Sequence, residues 1–171
     1  RIYLIKDEAS IGLISGHSIV KFVAGSSLIR CVAGDAVINE MYGCSEIESL
    51  CESGKVSSVY SLGVVGSVYG NAIINEVSEG GTVGIVHGNG KIKNVCDNAI
   101  VWNITENAIV EKISDNGTVG SVSGNAVVKK VCAYGVVRSV IGNGKVESIS
   151  DNGEVWKNYN KENEILKEKG E

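Results

Sequence analysis

Proline is absent from this chain, and aromatic residues make up only 5% of its 171 residues. Without proline, the turns have to be made by residues that tolerate a positive φ, chiefly the 22 glycines together with Asn and Asp. With so few rings, a core has to be built from small β-branched side chains. No apolar run approaches the roughly eighteen residues of a transmembrane helix, so membrane insertion is not expected.

A basic surface and a cysteine framework are missing as well. The net charge is −4 with a pI near 5.3, and no stripe of Lys and Arg could replace phosphate counterions, so nucleic-acid binding is not expected. The five cysteines are odd in number and form no C-x-x-C pair, which favours neither disulfides nor a zinc site. Reduced thiols suit synthesis in a reducing cytoplasm. The chain starts at Arg1 without a methionine, so it is either a mature product or part of a longer chain, and in a longer chain it could serve at a virion or cell surface.

A strict nine-residue repeat dominates what is present. Eighteen positions spaced nine apart are all Ile or Val, without an insertion or deletion. A unit of nine residues cannot bury its own apolar side chains, so this regularity indicates units stacked on identical neighbours. The members of this first column are Ile2, Ile11, Val20, Ile29, Ile38, Ile47, Val56, Val65, Ile74, Val83, Ile92, Val101, Val110, Val119, Val128, Val137, Val146 and Val155.

Two further columns keep the same phase. Three residues after the first column lies a second aliphatic column, from Ile5 to Ile149, and two residues before the first column lies a column of Gly, Ala and Ser, from Ala9 to Gly153. Numbered from the small residue, the repeat reads small-x-[Ile/Val]-x-x-[Val/Ile]-x-[Gly/Asp/Glu]-Asn. Positions one and three share one side of an extended segment, and a bend at positions four and five returns position six to the interior. The pattern predicts an all-β fold, a single parallel β-solenoid of about eighteen nine-residue repeats.

The repeat also predicts the domain limits and the size of a coil. Asn158 stands where an aliphatic residue is expected, so residues 1–157 are predicted to form the solenoid and residues 158–171 a polar cap or tail, with a short helix as one form of it. In the C-terminal half, position eight alternates between Gly and an acidic residue, with Glu106 and Ala133 as exceptions, and this favours two repeats per coil over three. The N-terminal strand has no comparable cap, and we expect an upstream segment or a partner to cover it.

Asn recurs at position nine, and two interpretations of it stay open. Stacked Asn amides can hydrogen-bond along the solenoid axis, or Asn can be there because it suits a left-handed turn. Both interpretations are structural. The recurring residues are Asn71, Asn89, Asn98, Asn107, Asn116, Asn125, Asn143 and Asn152.

Patterns that could carry chemistry are weak. The two histidines, His17 and His87, occupy different repeat positions, so no Ser-His-Asp arrangement is predicted. Two repeats per coil would stack Glu79, Asp97 and Asp115 about 4.8 Å apart. Paired acids serve glycan cleavage, but the repeats contain no insertion that could form a substrate groove. The order of the acids also differs from the G-G-x-G-x-D of calcium-binding β-rolls, and no catalytic residue, cofactor or metal ligand is predicted.

The outward positions offer two candidate contact surfaces. An apolar stripe at position two is typical of an interface, with simple β-propensity on a covered strand as the alternative. The candidate interface residues are Val64, Ile73, Ile100, Ile109, Val127 and Val136. Three tyrosines, Tyr42, Tyr60 and Tyr69, recur near one turn and could form a stacking ledge for a sugar or a partner.

Units such as Gly70-Asn71-Ala72-Ile73-Ile74 and Asp97-Asn98-Ala99-Ile100-Val101 resemble the nonapeptide repeats of β-solenoid segments in bacterial and phage proteins. The resemblance covers residues 2–155 and implies a rigid spacer, a surface or virion fibre, or a ligand-displaying module, without functional residues to transfer. We therefore expect a non-catalytic structural or binding module that self-associates or binds a protein partner. The alternative is a carbohydrate-binding or glycan-cleaving β-helix. Ice binding is a minor alternative, since its flat array of Thr would have to come from only three threonines.

Overall fold

The computed structural model describes residues 1–159 and 166–167. These residues form nineteen β-strands and no helix, so this part of the chain has no helix that is long and apolar enough to cross a membrane. The strands are β1 (Ile2–Ile5), β2 (Ser10–Ile14), β3 (Ile19–Val23), β4 (Leu28–Val32), β5 (Val37–Met41), β6 (Glu46–Leu50), β7 (Lys55–Val59), β8 (Val64–Val68), β9 (Ile73–Val77), β10 (Thr82–Val86), β11 (Lys91–Val95), β12 (Ile100–Ile104), β13 (Ile109–Ile113), β14 (Thr118–Val122), β15 (Val127–Val131), β16 (Val136–Val140), β17 (Lys145–Ile149), β18 (Glu154–Asn158) and β19 (Leu166–Lys167).

Successive strands alternate between two parallel sheets. The odd-numbered strands form a ten-stranded sheet, and the even-numbered strands form a nine-stranded sheet. Each strand pairs with the strand that lies two repeats away, so that Val83 lies beside Val65 and Val101. One coil therefore consists of two repeats. The predicted parallel β-solenoid with two repeats per coil is confirmed.

The core lies between the two sheets and consists of the two aliphatic columns together with alanines of the small column. In β14, for example, the second and fifth residues are buried while the other three are partly exposed, and Val119 and Val122 are both 0% exposed. Burying one Val side chain is worth ~1.5–3 kcal/mol. The small column at position one lies against the backbone of the coil below, because a Cβ atom on Gly117 would overlap the carbonyl oxygen of Val95. Stacking thus lets a unit of nine residues bury side chains that it could not bury alone.

The two edges of the solenoid use different turns. Position eight is left-handed in every described turn, a conformation that Gly adopts without a steric penalty. After four successive odd-numbered strands, β9 to β15, position nine is left-handed as well, at Gly80, Asn98, Asn116 and Tyr134. Asp and Asn tolerate this conformation better than most residues. The alternation of Gly with acidic residues at position eight therefore follows the alternation between the two edges.

The described structure gives the following picture of the C-terminal end of the repeats. Strand β18 continues to Asn158, one residue beyond the predicted end of the solenoid at 157. In the predicted tail, Leu166 and Lys167 pair in parallel with Ser148 and Ile149 of β17, which again lies two repeats away. The short helix that was one predicted form of the tail falls on residues 160–165 and 168–171, which lie outside the described residues.

Candidate interaction surfaces

In the five-residue strands β2 to β18, the first, third and fourth residues face outward and build two faces. Neighbouring strands in one sheet are two repeats apart in sequence and about 4.8 Å apart in space. Equivalent residues of consecutive repeats consequently lie on opposite faces and not side by side. This relationship decides which of the predicted surface residues meet.

The six predicted interface residues are divided between the two faces. Each of them is the first residue of its strand and is partly exposed. The even-numbered sheet carries Val64, Ile100 and Val136, and the odd-numbered sheet carries Ile73, Ile109 and Val127. The structure thus places them in two separate columns and does not bring them together in one stripe.

The middle of the even-numbered sheet has an outer surface without charged side chains, here named the uncharged face. Trp102 is 48% exposed, and its neighbours at the same position of the adjacent strands are Gly84 and Gly120. Ser121 Oγ donates a hydrogen bond of 2.7 Å to Oδ1 of Asn103. The face consists of twelve outward residues of β8, β10, β12 and β14: Val64, Gly66, Ser67, Thr82, Gly84, Ile85, Ile100, Trp102, Asn103, Thr118, Gly120 and Ser121.

The opposite surface, formed by β9, β11, β13 and β15 and here named the charged face, has seven charged residues among its twelve outward positions. Lys91 and Glu111 form an ion pair on it, and their side chains are each about one third exposed. The hydrogen bond from Lys91 lowers the pKa of Glu111, against the effect of partial burial. The charged residues are Glu76, Lys91, Lys93, Glu111, Lys112, Lys129 and Lys130.

Four aromatic side chains form a column towards the N-terminal end of the odd-numbered sheet. Tyr3 meets Phe22 edge-on, with ring centroids 5.6 Å apart, and Phe22 meets Tyr42 edge-on at 6.5 Å. Tyr42 then stacks on Tyr60 at 5.4 Å. Two of the predicted ledge residues are therefore neighbours, and each covers one ring face of the other.

Tyr69 lies at the other edge, where it stacks on His87 with ring centroids 5.0 Å apart. It follows β8, whereas Tyr42 and Tyr60 follow β5 and β7 of the other sheet. The three tyrosines therefore do not form one surface. The sequence pattern did not reveal Phe22, because this residue occupies a different repeat position from the tyrosines. Tyr42 lies in a turn and leans diagonally onto Phe22 in the strand of the previous coil, a contact that a comparison of equivalent repeat positions does not show.

A groove of about 520 Å³ adjoins the first aromatic of this column. Lys21 Nζ lies 4.8 Å from the centroid of the Tyr3 ring, which is close enough for a cation–π contact. The groove therefore combines cationic, amide and aromatic groups. Its lining residues are Arg1, Ile2, Tyr3, Ile19, Lys21, Val37 and Asn39.

The position-nine asparagines fall into two classes, one at each edge. After the even-numbered strands, hydrogen bonds from Nδ2 to Oδ1 at 3.3–3.4 Å join Asn89 to Asn71, Asn125 to Asn107 and Asn143 to Asn125. After the odd-numbered strands, Asn98 and Asn116 have φ values of 63° and 62°. Axial hydrogen bonding and left-handed turns thus both occur, each at its own edge.

Glu52 and Glu106 occupy position eight at the edge where Gly is the rule. Both are left-handed, with φ values of 55° and 59°. Each carboxylate reaches one coil down and accepts a backbone N–H, from Gly34 at 2.8 Å and from Gly88 at 2.9 Å. These charge-assisted hydrogen bonds offset the strain of the non-Gly backbone.

The acidic column that was considered for chemistry lies at the opposite edge. Glu79, Asp97 and Asp115 follow one another there at intervals of one coil and are exposed. Among residues 1–159 and 166–167, no cluster of three or more His, Cys, Asp and Glu side chains is arranged to hold a metal ion.

Two cysteine side chains meet between adjacent coils. Cys31 Sγ lies 3.7 Å from Cys51 Sγ. Burial and this contact raise the pKa of Cys31 to about 11, and burial together with a hydrogen bond to Asp97 raises the pKa of Cys96 to about 12. The described cysteines are free thiols. Because their pKa values are raised this far, Cys31 and Cys96 stay protonated at neutral pH.

Compared with known protein families, with curated proteins and with solved structures, the chain gives no match. The parallel β-solenoid with its period of two repeats is accordingly established by the strand pairing itself.

Proposed function

We propose that this chain is a rigid rod that works as a non-catalytic structural or binding module, through self-association or a protein partner. The observation that carries the proposal is the contrast between its two faces. None of the twelve outward residues of the uncharged face is charged, whereas seven of twelve on the charged face are. Contiguous surface patches of low polarity are typical of contact sites.

The constant coil supports the role of a rod. Each described coil spans two repeats, and the strands of β1 to β18 keep this register without interruption. Hydrogen bonds along both sheets join every coil to the next one, so these coils contain no hinge at which the ends of the rod could rotate. A structure of this kind can hold two attached groups at a fixed separation.

The two faces can be tested separately because Ile100 and Ile109 are equivalent residues of adjacent repeats. Ile100 lies on the uncharged face, and Ile109 lies on the charged face. We expect Ile100→Lys to abolish an oligomer seen by light scattering, or a partner recovered by pull-down, while Ile109→Lys preserves it. Circular dichroism checks that both variants are folded. A wild-type chain that stays monomeric at all concentrations and recovers no partner would contradict the proposal.

The non-catalytic part of the proposal has its own test at the acidic column. Because Asp97 and Asp115 are exposed and follow each other one coil apart, they are the acids to change first. We expect Asp97→Asn to leave every measurable activity intact. Loss of a glycan-cleaving activity in this variant would contradict the non-catalytic proposal and support the glycan-cleaving alternative.

Carbohydrate binding is a second candidate, favoured by the groove beside Tyr3. Aromatic faces and cationic or amide groups can together stack against a sugar ring and hydrogen-bond its hydroxyls. A glycan-array screen of the wild type should then give signals that Tyr3→Ala removes. Tyr134→Ala is the matched control, since Tyr134 is similarly exposed, at 62% against 67%, but lies in a turn after β15. No signal for the wild type would eliminate this candidate.

A further inference from the structure

The third-residue column of the even-numbered sheet reads, from β4 to β18, Arg30, Glu48, Gly66, Gly84, Trp102, Gly120, Arg138 and Trp156. Its two halves complement each other when one is reversed. Resting on the proposed function, we propose that the partner of the uncharged face is a second copy of this chain, packed face to face with its solenoid axis reversed. The two-fold axis runs parallel to the strands, midway between β10 and β12.

This symmetry fixes which strands meet. Strand β10 faces β12 of the second copy, β8 faces β14, β6 faces β16 and β4 faces β18, and each pair occurs twice because the interface is isologous. The axis parallel to the strands keeps the strand direction, so the third-residue columns of the two copies lie over each other. The sequence of that column can therefore be compared residue by residue with its own reverse.

The centre of the interface pairs a large residue with a gap. Trp102 projects from the face and is 48% exposed, and in the reversed copy it meets Gly84. Facing sheets pack about 10 Å apart, which leaves each side chain about half of that distance unless the opposite residue is small. Gly84 supplies this space, and Gly66 lies opposite Gly120 in the next pair of strands. The large Trp102 thus meets a gap at the two central strand pairs, and no two large residues oppose each other there.

The flanks of the interface pair opposite charges. Glu48 of β6 lies opposite Arg138 of β16, and both are exposed in the single chain. One strand further out, Arg30 of β4 lies opposite Trp156 of β18, a pairing suited to a cation–π contact. Within one chain the Arg138 guanidinium already lies over the Trp156 ring, 5.8 Å from its centroid. Guanidinium and indole groups would therefore gather at both flanks.

Other face-to-face arrangements lose this complementarity. A two-fold axis along the solenoid would place every strand over itself, with Trp102 against Trp102 and Arg138 against Arg138. Shifting the axis by half a strand spacing, onto β10, would place Arg30 against Arg138. Juxtaposed like charges across an interface are unfavourable, so the register midway between β10 and β12 is favoured.

The area is sufficient for a specific dimer. Eight overlapping strands of five residues cover roughly 38 Å by 16 Å, or about 600 Å² on each copy. Together the two copies bury about 1,200 Å², which reaches the lower limit of stable specific interfaces. A dimer in the micromolar range agrees with an area of this size and with exposed flanking charges.

The experiment reverses one charge at a time. We expect Glu48→Arg alone and Arg138→Glu alone each to raise the dimer Kd at least about tenfold in sedimentation equilibrium, because each places like charges opposite each other twice. A one-to-one mixture of the two single variants should form a heterodimer with a Kd within about threefold of the wild type, since opposite charges again meet at both flanks and the like-charged homodimers are disfavoured. Lys93→Glu on the charged face is the control and should leave the Kd unchanged.

The outcomes separate this inference from the proposed function. A wild-type oligomer that Ile100→Lys dissociates but that ignores both charge reversals would overturn the reversed packing and leave the proposed function standing. A monomeric chain that recovers a different protein would overturn the second copy as the occupant. A chain that neither associates nor binds a partner would overturn both.

Discussion

Asn125 Nδ2 donates a hydrogen bond to Oδ1 of Asn107, one coil away, at 3.4 Å. Asn125 Oδ1 in turn accepts a hydrogen bond from Asn143 at 3.3 Å. Each amide can act as donor and acceptor at once, so a column of Asn forms a ladder that connects coils outside the sheets. The same residue type at the other edge serves the backbone conformation, as Asn116 shows with φ of 62°.

The two classes of Asn are expected to respond oppositely to glycine. Asn125→Gly removes two ladder hydrogen bonds and adds chain entropy to the unfolded state, so we expect a loss of about 1 kcal/mol in the free energy of unfolding. Asn116→Gly relieves a left-handed residue and should change stability by less than about 0.5 kcal/mol or increase it. Chemical denaturation of both variants checks this. Equal losses would show that the ladder adds nothing.

Inward and outward changes should differ sharply within one coil. Val119 is 0% exposed, so Val119→Asp buries a carboxylate without a partner, and we expect a loss of more than about 3 kcal/mol or local unfolding. Lys129→Asp changes an exposed residue of β15 and should stay within about 0.5 kcal/mol. Denaturation followed by circular dichroism measures both. A tolerated Val119→Asp would contradict the assignment of the core.

Tyr60 is expected to make stability fall at alkaline pH. Its hydroxyl donates a hydrogen bond of 2.8 Å to Glu40 Oε2, and burial together with this carboxylate raises its pKa from 10.0 to about 12. The pKa of Tyr60 is higher in the folded state than in the unfolded state, so the neutral hydroxyl stabilises the fold. This stabilisation is complete below about pH 10 and is lost as the pH rises towards 12.

Glu40→Gln tests this link, because it removes the carboxylate that opposes ionisation of Tyr60. We expect the pKa of Tyr60 to move down towards its ordinary value in an ultraviolet titration, with a smaller loss of stability between about pH 10 and pH 12. Glu48→Gln is the matched control on the other sheet and should leave the titration of Tyr60 unchanged. An unchanged titration in Glu40→Gln would refute the contact.

The thiols should differ in their rates of alkylation in the folded chain. Burial and its hydrogen bond to Asp97 raise the pKa of Cys96 to about 12, so very little thiolate is present near neutral pH. Cys44 is exposed and should react first with iodoacetamide, while Cys96 and Cys31 should react much more slowly until the pH is raised. Peptide mass spectrometry resolves the sites. Equal rates at Cys44 and Cys96 would contradict the burial.

The stacked repeats and the size of a coil could be predicted from sequence, because burial in the core requires the same residue types at fixed spacing. Every repeat from β3 to β17 buries the same two side chains, so the aliphatic residues of a column such as Val83, Ile92 and Val101 have to recur in each of them. The alternation of position eight distinguishes the two edges. The six apolar surface residues were harder to place. Position two does face outward, but consecutive repeats lie in opposite sheets, so only residues two repeats apart belong to one surface.

Diagonal contacts were beyond the repeat pattern. Tyr60 meets Glu40, Tyr42 meets Phe22 and Cys51 meets Cys31, each with the same diagonal offset between adjacent coils. In all three pairs, a side chain that leaves the end of one strand leans towards the last outward residue of the strand in the previous coil. The pattern of columns describes straight neighbours only, so these pairs required the geometry of the turn.

The register of two repeats per coil also determines how such a rod can change its length. Adding or removing one whole coil would keep each column in line, and each residue above the change would remain on its original side. Removing a single repeat would satisfy the core equally well, since both aliphatic columns are the same in every repeat. Every residue beyond the deletion would nevertheless move to the opposite face, so that Trp102 would lie on the face that Lys93 occupies now. Natural length variation in a chain of this kind should therefore occur in steps of two repeats wherever the sidedness of the rod matters.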